Sequence, residues 1–489
     1  MTQTSAFRAG AFAACVVGWA AGVFAAAPAV GPKSPNVLFI VVDDLNLALG
    51  CYGDPVAQTP QIDRLAARGV RFDRAYAQYP LCNPSRVSFL SGRRPETSGV
   101  YILTTPARTA LPDAVMLPQF FRQQGYLSAG AGKIFHNAKV NDEASWDSYD
   151  DRPASDPDEI AAIEARYGSA GKPGDGRPAF HVLSSDGAGT RDGRNVRTIL
   201  RLMAEQHATG RPFFLAAGLH LPHLPWTAPK KFFDLYPPGS LTPKPEPAMV
   251  DVPPIALQTE LSGFAQPDSR EAAMRGYYAS VSFTDAHVGM LLDGLDRLDL
   301  WKTTVVVLIS DHGFHLGDHG GLWAKLSAFD AATRVPMVVA GAGVPAGKVV
   351  AEPVELLDVF PTLVELGGFA PLPGLEGRSL VAAMRGRPPT GFRPASSMVY
   401  HYDQAKKSDV LGRTVIAAEW RYTEWAGGAA GRELYWRADD PMEYRNRAGD
   451  PKLVAALNAG AAYLLNAPSP KPGPANRPRA LLEAARKNP

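Results

Sequence analysis

Residues 36–44 read NVLFIVVDD, an apolar run rich in β-branched residues that ends on two aspartates. A continuous run of this kind predicts a strand at Asn36–Val42, buried on both faces of a parallel sheet. Later runs of the same character predict further buried strands at Leu127–Ala131, Phe213–Leu219, Thr304–Ser310 and Pro336–Ala340. These strands form the expected centre of the molecule.

Helical patterns separate the predicted strands. Thr59 and Pro60 favour the start of a helix, with Thr59 as its N-cap, and Gly69 favours its end. Further helical patterns lie at Leu117–Gln124, Val196–Gln206 and Arg270–Leu298. Strands that alternate with helices in this way predict the α/β fold class, with a doubly wound sheet.

The pattern changes after about Pro388. Short strand-like runs and one helix-like run follow, at Ser397–Tyr402, Thr414–Trp425, Arg432–Trp436 and Pro451–Leu465. They predict a smaller C-terminal α+β subdomain. Ala467–Arg479 is Pro-rich and basic, and we expect this tail to lie on the surface or to be disordered.

Two polar stretches, Asn141–Arg177 and Pro237–Asp268, interrupt the α/β pattern. Insertions of this length in an α/β core form rims over a site or remain solvated loops.

Composition excludes several classes of protein. The chain has 489 residues and a net charge of +2, so no strong field draws it to nucleic acid or to an anionic membrane. Hydrophobic residues make up 46%, which is typical of a globular protein. With three cysteines, Cys15, Cys51 and Cys82, the chain cannot be a disulfide scaffold.

The N-terminus has the pattern of a secretory signal. Arg8 precedes a charge-free run from Ala9 to Val30, which ends in small residues. A single membrane anchor is the alternative, but alanine and glycine dilute the hydrophobicity of the run. We therefore expect a signal peptide at 1–29, a catalytic domain at 33–388 and a C-terminal subdomain with its tail at 389–489. The expected protein is exported, periplasmic or secreted, without stable membrane association.

Acidic residues follow two of the predicted strands. Asp43 and Asp44 come directly after the first, and Asp311 and His312 come directly after Thr304–Ser310. Ligands of open α/β sheets bind beyond the carboxyl ends of the strands. If the two strands are neighbours, the three carboxylates repel one another unless a cation lies among them. Each pair alone could be a solvated turn, but both together predict a Ca²⁺ or Mg²⁺ site.

Cys82 lies in an unusual context. A lone cysteine is normally a buried structural thiol. Here Pro84 and Ser85 favour the start of a helix, so Cys82 is expected near a helix N-terminus, which favours negative charge on it. Arg86 follows one turn later.

Two motifs resemble those of the sulfatase family. Residues 82–86 read CNPSR and match the Cys-x-Pro-Ser-Arg signature of that family, and residues 125–133, GYLSAGAGK, resemble its second signature. The resemblance extends from about Asn36 to the region 432–450. Several segments are most similar to the iduronate-2-sulfatase branch: RVSFL at 86–90, KIFH at 133–136, PHLP at 222–225, WAK at 323–325 and the tyrosine-rich 276–292.

The resemblance implies a fold and a prosthetic group. The fold would be alkaline-phosphatase-like, with a large mixed β-sheet sandwiched by helices. A separate maturation enzyme would oxidise Cys82 to formylglycine, whose hydrate is the nucleophile towards sulfate. Residue 82 would then be unable to pair with Cys51. The metal ligands would be Asp43, Asp44, Cys82, Asp311 and His312, around one Ca²⁺, with Mg²⁺ as the alternative.

The resemblance also implies roles for the remaining polar residues. Arg86 would hold and neutralise the formylglycine, and Lys133 and Lys325 would bind the sulfate oxygens. His136 would orient the hydrate or take its proton, and His223 would be a general acid near the leaving oxygen, with Lys325 as the other candidate. Isolated lysines are otherwise solvated and isolated histidines structural. Three further histidines receive no role: His220, His315 and His319.

The expected enzyme is therefore a sulfuric ester hydrolase acting on a sulfated carbohydrate, such as a 2-O-sulfated uronate of a glycosaminoglycan or another polysaccharide. A phosphoesterase or phosphonate monoester hydrolase of the same superfamily is one alternative. A catalytically silent binder of sulfated glycans is another, although the nucleophile, Arg86 and all expected ligands are present. Gly320-Gly321 adds a residue before the Lys325 motif, and the 141–177 insertion does not align, so the sugar stays open.

Overall fold

The computed structural model describes residues 34–167, 180–241, 246–259, 267–387, 393–403 and 405–471. Several predicted features lie wholly or partly outside these residues: the signal peptide with Cys15, parts of both insertions, the domain boundary at 388/389 and the tail beyond 471. Within the described residues, no helix has the length and apolar character needed to cross a bilayer.

The strands and helices of the described residues follow one another throughout the chain. The strands are β1 (Asn36–Val42), β2 (Gly69–Phe72), β3 (Ala75–Tyr76), β4 (Leu127–Gly132), β5 (Ser148–Asp150), β6 (Phe180–Leu183), β7 (Phe213–Leu219), β8 (Trp226–Pro229), β9 (Thr304–Ser310), β10 (His315–Leu316), β11 (Trp323–Ala324), β12 (Arg334–Val335), β13 (Met337–Gly341), β14 (Lys348–Val350), β15 (Val354–Glu355), β16 (Ala395–Asp403), β17 (Ser408–Ile416), β18 (Trp420–Trp425) and β19 (Gly431–Trp436). The helices are α1 (Pro60–Ala67), α2 (Cys82–Ser91), α3 (Pro95–Ser98), α4 (Ala107–Ala110), α5 (Leu117–Gln123), α6 (Pro157–Tyr167), α7 (Arg191–Thr209), α8 (Lys230–Phe233), α9 (Pro267–Arg297), α10 (Asp330–Thr333), α11 (Val359–Leu366), α12 (Val381–Met384) and α13 (Val454–Asn466).

The central sheet has eight strands in the order β14-β2-β13-β9-β1-β7-β4-β5. Strands β9, β1, β7, β4 and β5 run parallel, whereas β13 is antiparallel to both of its neighbours. The sheet is therefore mixed, as the resemblance implied. β1 and β9 are adjacent, with Val42 opposite Ser310, so their carboxyl ends meet.

Helices cover both faces of this sheet, which explains why β1 is apolar from Val37 to Val42. Leu38, Ile40 and Val42 pack in one core with α1, α7 and α9. The alternate residues, Val37 and Phe39 among them, pack in a second core with α2, α5 and α11. The prediction of a strand buried on both faces is confirmed.

A second, four-stranded antiparallel sheet forms the C-terminal subdomain, in the order β16-β17-β18-β19. Helix α13 packs against it, with Leu464 in a shared cluster. The predicted single run Thr414–Trp425 is wrong, because it is two strands, β17 and β18. A tight turn, in which Ala417 donates to the Trp420 carbonyl at 2.9 Å, reverses the chain without glycine or proline.

Some helices begin or end at other residues than predicted, because the capping side chains form other hydrogen bonds than expected. The helix expected at Val196–Gln206 begins earlier, because the Thr190 hydroxyl caps it by accepting from the Gly193 amide at 3.1 Å. Thr59 precedes α1 as expected, but its hydroxyl accepts from the Gly50 amide instead of capping that helix. The helix ends before Gly69, which opens β2.

Candidate active site

Four side chains meet where β1 and β9 end. Asp43 and Asp44 follow β1, and Asp311 and His312 follow β9. The Asp311 amide donates to the Val42 carbonyl at 3.2 Å, so the two strand ends are held together. All four side chains are buried. Asp44 has a positive φ of 61°, a strained conformation for a residue with a side chain, and such strain is found at functional sites.

Four of the predicted ligands form one compact group. The ligand atoms of Asp43, Asp44, Cys82 and His312 all lie within 4.8 Å of one another. His312 Nε2 is 3.3 Å from Cys82 Sγ and 3.4 Å from Asp44 Oδ1, and Cys82 Sγ is 3.5 Å from Asp43 Oδ1. This group can hold a cation in a buried setting.

Asp311 lies beside this group. Its Oδ2 is 3.5 Å from His312 Nε2 and accepts from Arg86 Nε at 3.0 Å. Its Oδ1 accepts from the backbone amides of Asp44 and His312, at 3.2 and 3.0 Å. The Asp311 carboxylate therefore fixes the backbone of Asp44 and His312 and compensates the positive charge of Arg86.

Cys82 is the first residue of α2, so the predicted position near a helix N-terminus is confirmed. The helix begins two residues before Pro84, where the sequence favoured its start. Arg86, one turn later, is fully buried. Its guanidinium pairs with Asp43 at 3.3 Å and Asp311 at 3.0 Å, and donates to the carbonyls of Lys133 and Ile134. Two carboxylates and two backbone carbonyls thus fix the position of the Arg86 guanidinium.

Two lysines bring positive charge to residue 82. Lys325 Nζ is 2.7 Å from Asp44 Oδ1 and 3.2 Å from Cys82 Sγ. Lys133 Nζ pairs with Asp43 Oδ2 and lies 3.8 Å from Cys82 Sγ. Lys133 follows Gly132, whose φ is +81° and where a Cβ would collide with the Gly218 carbonyl. Glycine before Lys133 is therefore a steric requirement.

Three histidines lie on the more open side of the site. His223 Nε2 is 4.0 Å from Asp44 Oδ2, and its side chain is 18% exposed. Asp43, His220 and His223 form a second group with ligand atoms within 4.8 Å, and the two rings are 4.8 Å apart. His136 Nδ1 is buried and has no hydrogen-bond partner among the described residues.

The pKa values of the buried acids depend on burial and on the lysine and arginine side chains beside them. Burial alone would raise the pKa of Asp43, but the positive charges of Lys133 and Arg86 hold it well below its usual value. Burial raises the pKa of Asp44 to about 7, against the opposing effect of Lys325 and with the help of the Asp43 charge. Burial opposes protonation of His312, but Asp311 overcomes it and raises the pKa of His312 to about 9. A second negative charge beside Asp43 is thus costly without a further cation.

The histidines on the open side are neutral at pH 7. Burial lowers the pKa of His136 to about 3, with Lys133 adding to the effect. The pKa of His223 is well below its usual value for the same two reasons, and burial with Arg191 does the same for His220. A neutral imidazole can accept a proton at its free ring nitrogen and so act as a base, and it becomes a general acid only after it has been protonated.

Sequence reasoning missed two residues that support the site. The Tyr277 hydroxyl donates to the Asp44 carbonyl at 2.8 Å, across 233 residues of chain. The Asp192 carboxylate accepts from the amides of His220 and Leu221 at 2.7 and 2.9 Å, and so fixes the loop that leads to His223. The tyrosine-rich pattern of α9 was a signal for the first, and no motif marks the second.

Cys51 and two of the three unassigned histidines, His315 and His319, lie outside the ligand group. Cys51 and Cys82 are free thiols, and burial with the nearby Asp63 raises the pKa of Cys51 to about 12. His315 and His319 both bind Asp318, at the β10–β11 hairpin that precedes Lys325.

Comparisons with known proteins find similar sequences over most of the chain. The family model "Sulfatase" matches residues 35–369, and the model "N-sulphoglucosamine sulphohydrolase, C-terminal" matches residues 317–462. Iduronate 2-sulfatase of Mus musculus is 31% identical, covering 87% of this chain and 92% of its own. A sulfatase of Formosa agariphila is 34% identical, covering 88% and 86%.

Solved structures share the fold. The phosphonate monoester hydrolase of Agrobacterium radiobacter has a TM-score of 0.72 at 23% identity, covering 88% of this chain and 95% of its own. A 2-O GAG sulfatase has a TM-score of 0.67 at 22% identity, covering 93% of both chains.

Proposed function

This chain belongs to the sulfatase family, and from that membership we propose that it removes sulfate from a sulfated sugar with residue 82 as formylglycine and one divalent cation. Family membership makes sulfate ester hydrolysis the activity. The proposal adds the nucleophile, the metal and the class of substrate.

The position of Cys82 carries the proposal. Its Sγ lies 3.2 Å from Lys325 Nζ, 3.3 Å from His312 Nε2, 3.5 Å from Asp43 Oδ1 and 3.8 Å from Lys133 Nζ. A structural thiol would be expected among apolar side chains. Charges on every side support a role for residue 82 in chemistry.

The donor set suits a hard divalent cation. Carboxylate oxygens of Asp43, Asp44 and Asp311, the imidazole of His312 and an oxygen on residue 82 would hold it. Such ligation fits Ca²⁺ or Mg²⁺ better than a thiolate-rich set would. The raised pKa of Asp44 supports this fit, because a bound cation would allow both neighbouring carboxyls to ionise.

When both groups are present, formylglycine supplies the attacking oxygen and the cation supplies charge neutralisation at the sulfate. The chain provides the rest. Lys133 and Lys325 would bind sulfate oxygens, and their positions beside Cys82 Sγ suit an anion bound next to residue 82. Arg86, held by Asp43 and Asp311, would orient residue 82 and oppose the negative charge there.

The neutral histidines would move protons. His223, 4.0 Å from Asp44 Oδ2 and partly exposed, faces the side from which a sugar can enter. Once the bound sulfate has raised its pKa enough to protonate it, His223 would give a proton to the leaving oxygen, with Lys325 as the other candidate. His136, with an unpartnered buried Nδ1, would orient or deprotonate the hydroxyl of residue 82.

The substrate class rests on the relatives. The likeness to iduronate 2-sulfatase supports a 2-O-sulfated uronate of a glycosaminoglycan or a similar polysaccharide. The phosphonate monoester hydrolase shares the fold at 23% identity, so the fold does not separate a sulfate ester from a phosphorus ester. The sequence contains every residue expected for turnover, which favours an enzyme over a catalytically silent binder of sulfated glycans.

The remaining features complete the proposal. The chain would be exported by the segment 1–29, carry a catalytic domain at 33–388 and a subdomain at 389–489, and need a formylglycine-generating enzyme as a maturation partner.

The test compares sulfur and phosphorus esters. Protein co-expressed with a maturation enzyme is given sulfated disaccharides, an aryl phosphate and a phosphonate monoester, and inorganic sulfate and phosphate are measured. Sulfate release that exceeds phosphorus ester hydrolysis supports the proposal. Hydrolysis of phosphorus esters without sulfate release would overturn the substrate class.

A further inference from the structure

The backbone on both sides of Lys325 is strained. Ala324 and Leu326 have positive φ values of 70° and 65°. Such conformations are costly for residues with a Cβ and persist only where neighbouring groups impose them. The segment 324–326 therefore needs external restraints to keep the Lys325 ammonium 3.2 Å from Cys82 Sγ.

Two of these restraints come from the catalytic domain. Ala324 pairs with His315 in the β10–β11 hairpin. The Leu326 amide donates to the carbonyl of Pro80 at 3.1 Å, two residues before Cys82. These bonds leave the Leu326 carbonyl to be held by another group.

That group is His401 of the C-terminal subdomain. His401 Nε2 lies 2.5 Å from the Leu326 carbonyl oxygen, and Nδ1 lies 2.6 Å from the carbonyl oxygen of Ile255. Carbonyl oxygens only accept, and burial lowers the pKa of His401, so the neutral ring carries a single N–H, which donates to the Leu326 carbonyl in the Nε2–H tautomer. The ring is 4% exposed, lies in β16 and stacks on Trp425 at 4.6 Å.

Trp425 is itself fixed, because its indole N–H donates to Glu433 Oε1 at 2.6 Å. The imidazole is therefore held rigidly by its own subdomain while it bonds to the peptide that adjoins Lys325. A rigid donor of this kind can keep a strained peptide in place.

We propose that His401 is a positioning residue for the reaction, acting through the Leu326 carbonyl to keep Lys325 beside residue 82. The inference rests on the proposed function, since it assigns the C-terminal subdomain a part in turnover at the same site. His401 does not touch the reacting atoms. Loss of its bond would let Leu326 relax towards negative φ and carry the Lys325 ammonium away from the sulfate.

Two substitutions separate the two bonds of His401. The amide nitrogen of glutamine reaches about as far as Nε2, so His401→Gln keeps a donor for Leu326. The amide nitrogen of asparagine matches Nδ1, so His401→Asn places a donor at Ile255 and loses the one for Leu326. The expected kcat for sulfate release falls roughly tenfold to a hundredfold in H401N and much less in H401Q.

Thr414→Val is the matched control. The Thr414 hydroxyl is buried in the same small sheet and bonds to Thr423 Oγ1 at 2.9 Å, away from Leu326. This variant should lower the melting temperature and keep kcat, which separates lost positioning from lost stability of the subdomain.

Hydrogen exchange gives a readout that needs no turnover. Amides in residues 322–328 should exchange faster in H401N than in H401Q or T414V. If the wild type releases no sulfate, the proposed function fails, and this exchange contrast alone decides the inference.

Equal kcat in H401N and H401Q, together with equal exchange, would overturn the inference. His401→Met, which fills similar space without a donor, replaces H401N if that variant does not fold, and the same loss is expected. If neither folds while T414V does, His401 is a structural residue and the proposal is wrong.

Discussion

At the scale of single residues, Cys82 differs from Cys51 in its surroundings. Ionised groups surround Cys82, whereas Cys51 is a half-buried thiol whose pKa burial and Asp63 raise to about 12. Cys82→Ala removes the side chain from which formylglycine would be made, so sulfate release should fall to background while the melting temperature changes little. Cys51→Ala should keep wild-type turnover in the same assay. Substantial turnover by C82A would refute the assignment of the nucleophile.

The role of Asp311 as a metal ligand can be tested by measuring the metal content of a variant. Asp311→Asn keeps its size but removes the charge that faces His312 and Arg86, so the protein should hold markedly less Ca²⁺ or Mg²⁺ after dialysis. Glu355→Gln is the control, because Glu355 is an equally buried carboxylate that pairs with Arg94 at 2.7 Å, outside the ligand group. Equal metal content in the two variants, measured by elemental analysis, would exclude Asp311 as a ligand.

Local motifs explain which site residues could be predicted. Cys82 with Arg86, and Lys133 with His136, each lie within a few residues of one another, so a short pattern marks them. Tyr277 and His401 reach the site across 233 residues and through another subdomain. Such contacts depend on tertiary packing. The tyrosine-rich pattern of α9 marks the segment of Tyr277 but not its contact with Asp44, and no local pattern marks His401.

At the scale of elements, the loop after β7 depends on Asp192. Burial raises the pKa of Asp192 to about 7, against the amide bonds of Leu221 and His220. The folded state therefore keeps a proton that the unfolded state loses near pH 4. This contribution to stability is fully present below about pH 4 and is lost as the pH rises through about 7.

Asp192→Asn removes this titration. The free energy of unfolding of the wild type minus that of D192N should fall between about pH 4 and 7, by at most roughly 4 kcal/mol. Urea unfolding at several pH values measures the difference. Parallel curves for the two proteins would show that Asp192 is ionised in the fold.

The elements themselves were largely predictable, because the central strands are buried on both faces and read as unbroken apolar runs. The bounds of β1, β7 and β9 agree with the prediction. Two-residue strands such as β10 and β11 are too short to leave a periodic pattern. The division of Thr414–Trp425 was missed because its turn contains neither glycine nor proline.

At the scale of the whole molecule, buried charges join the C-terminal sheet to the catalytic domain. Arg421 of β18 is fully buried, pairs with Glu443 at 2.7 Å and with Asp330 of α10, and donates to Thr333 at 3.0 Å. The contact links the C-terminal subdomain to a helix of the catalytic domain.

Arg421→Met should therefore lower the free energy of unfolding by about 3 kcal/mol, since it leaves buried carboxylates with fewer partners. The expected decrease in the free energy of unfolding is not larger, because Arg437 also pairs with Asp330 and remains in the variant. Urea unfolding measures the change, and Arg447→Met, at a solvated pair with Asp450, should have little effect. A similar stability for both variants would mean that the buried pair does not hold the subdomains together.

The most direct test of the central claim is inorganic sulfate release by the matured protein from a panel of sulfated uronate and hexosamine disaccharides. We predict release from 2-O-sulfated uronates, and none from any disaccharide with C82A. Release from other members of the panel would keep the reaction and change the sugar. Absence of sulfate release across the panel, with hydrolysis of an aryl phosphate in the same preparation, would contradict the account.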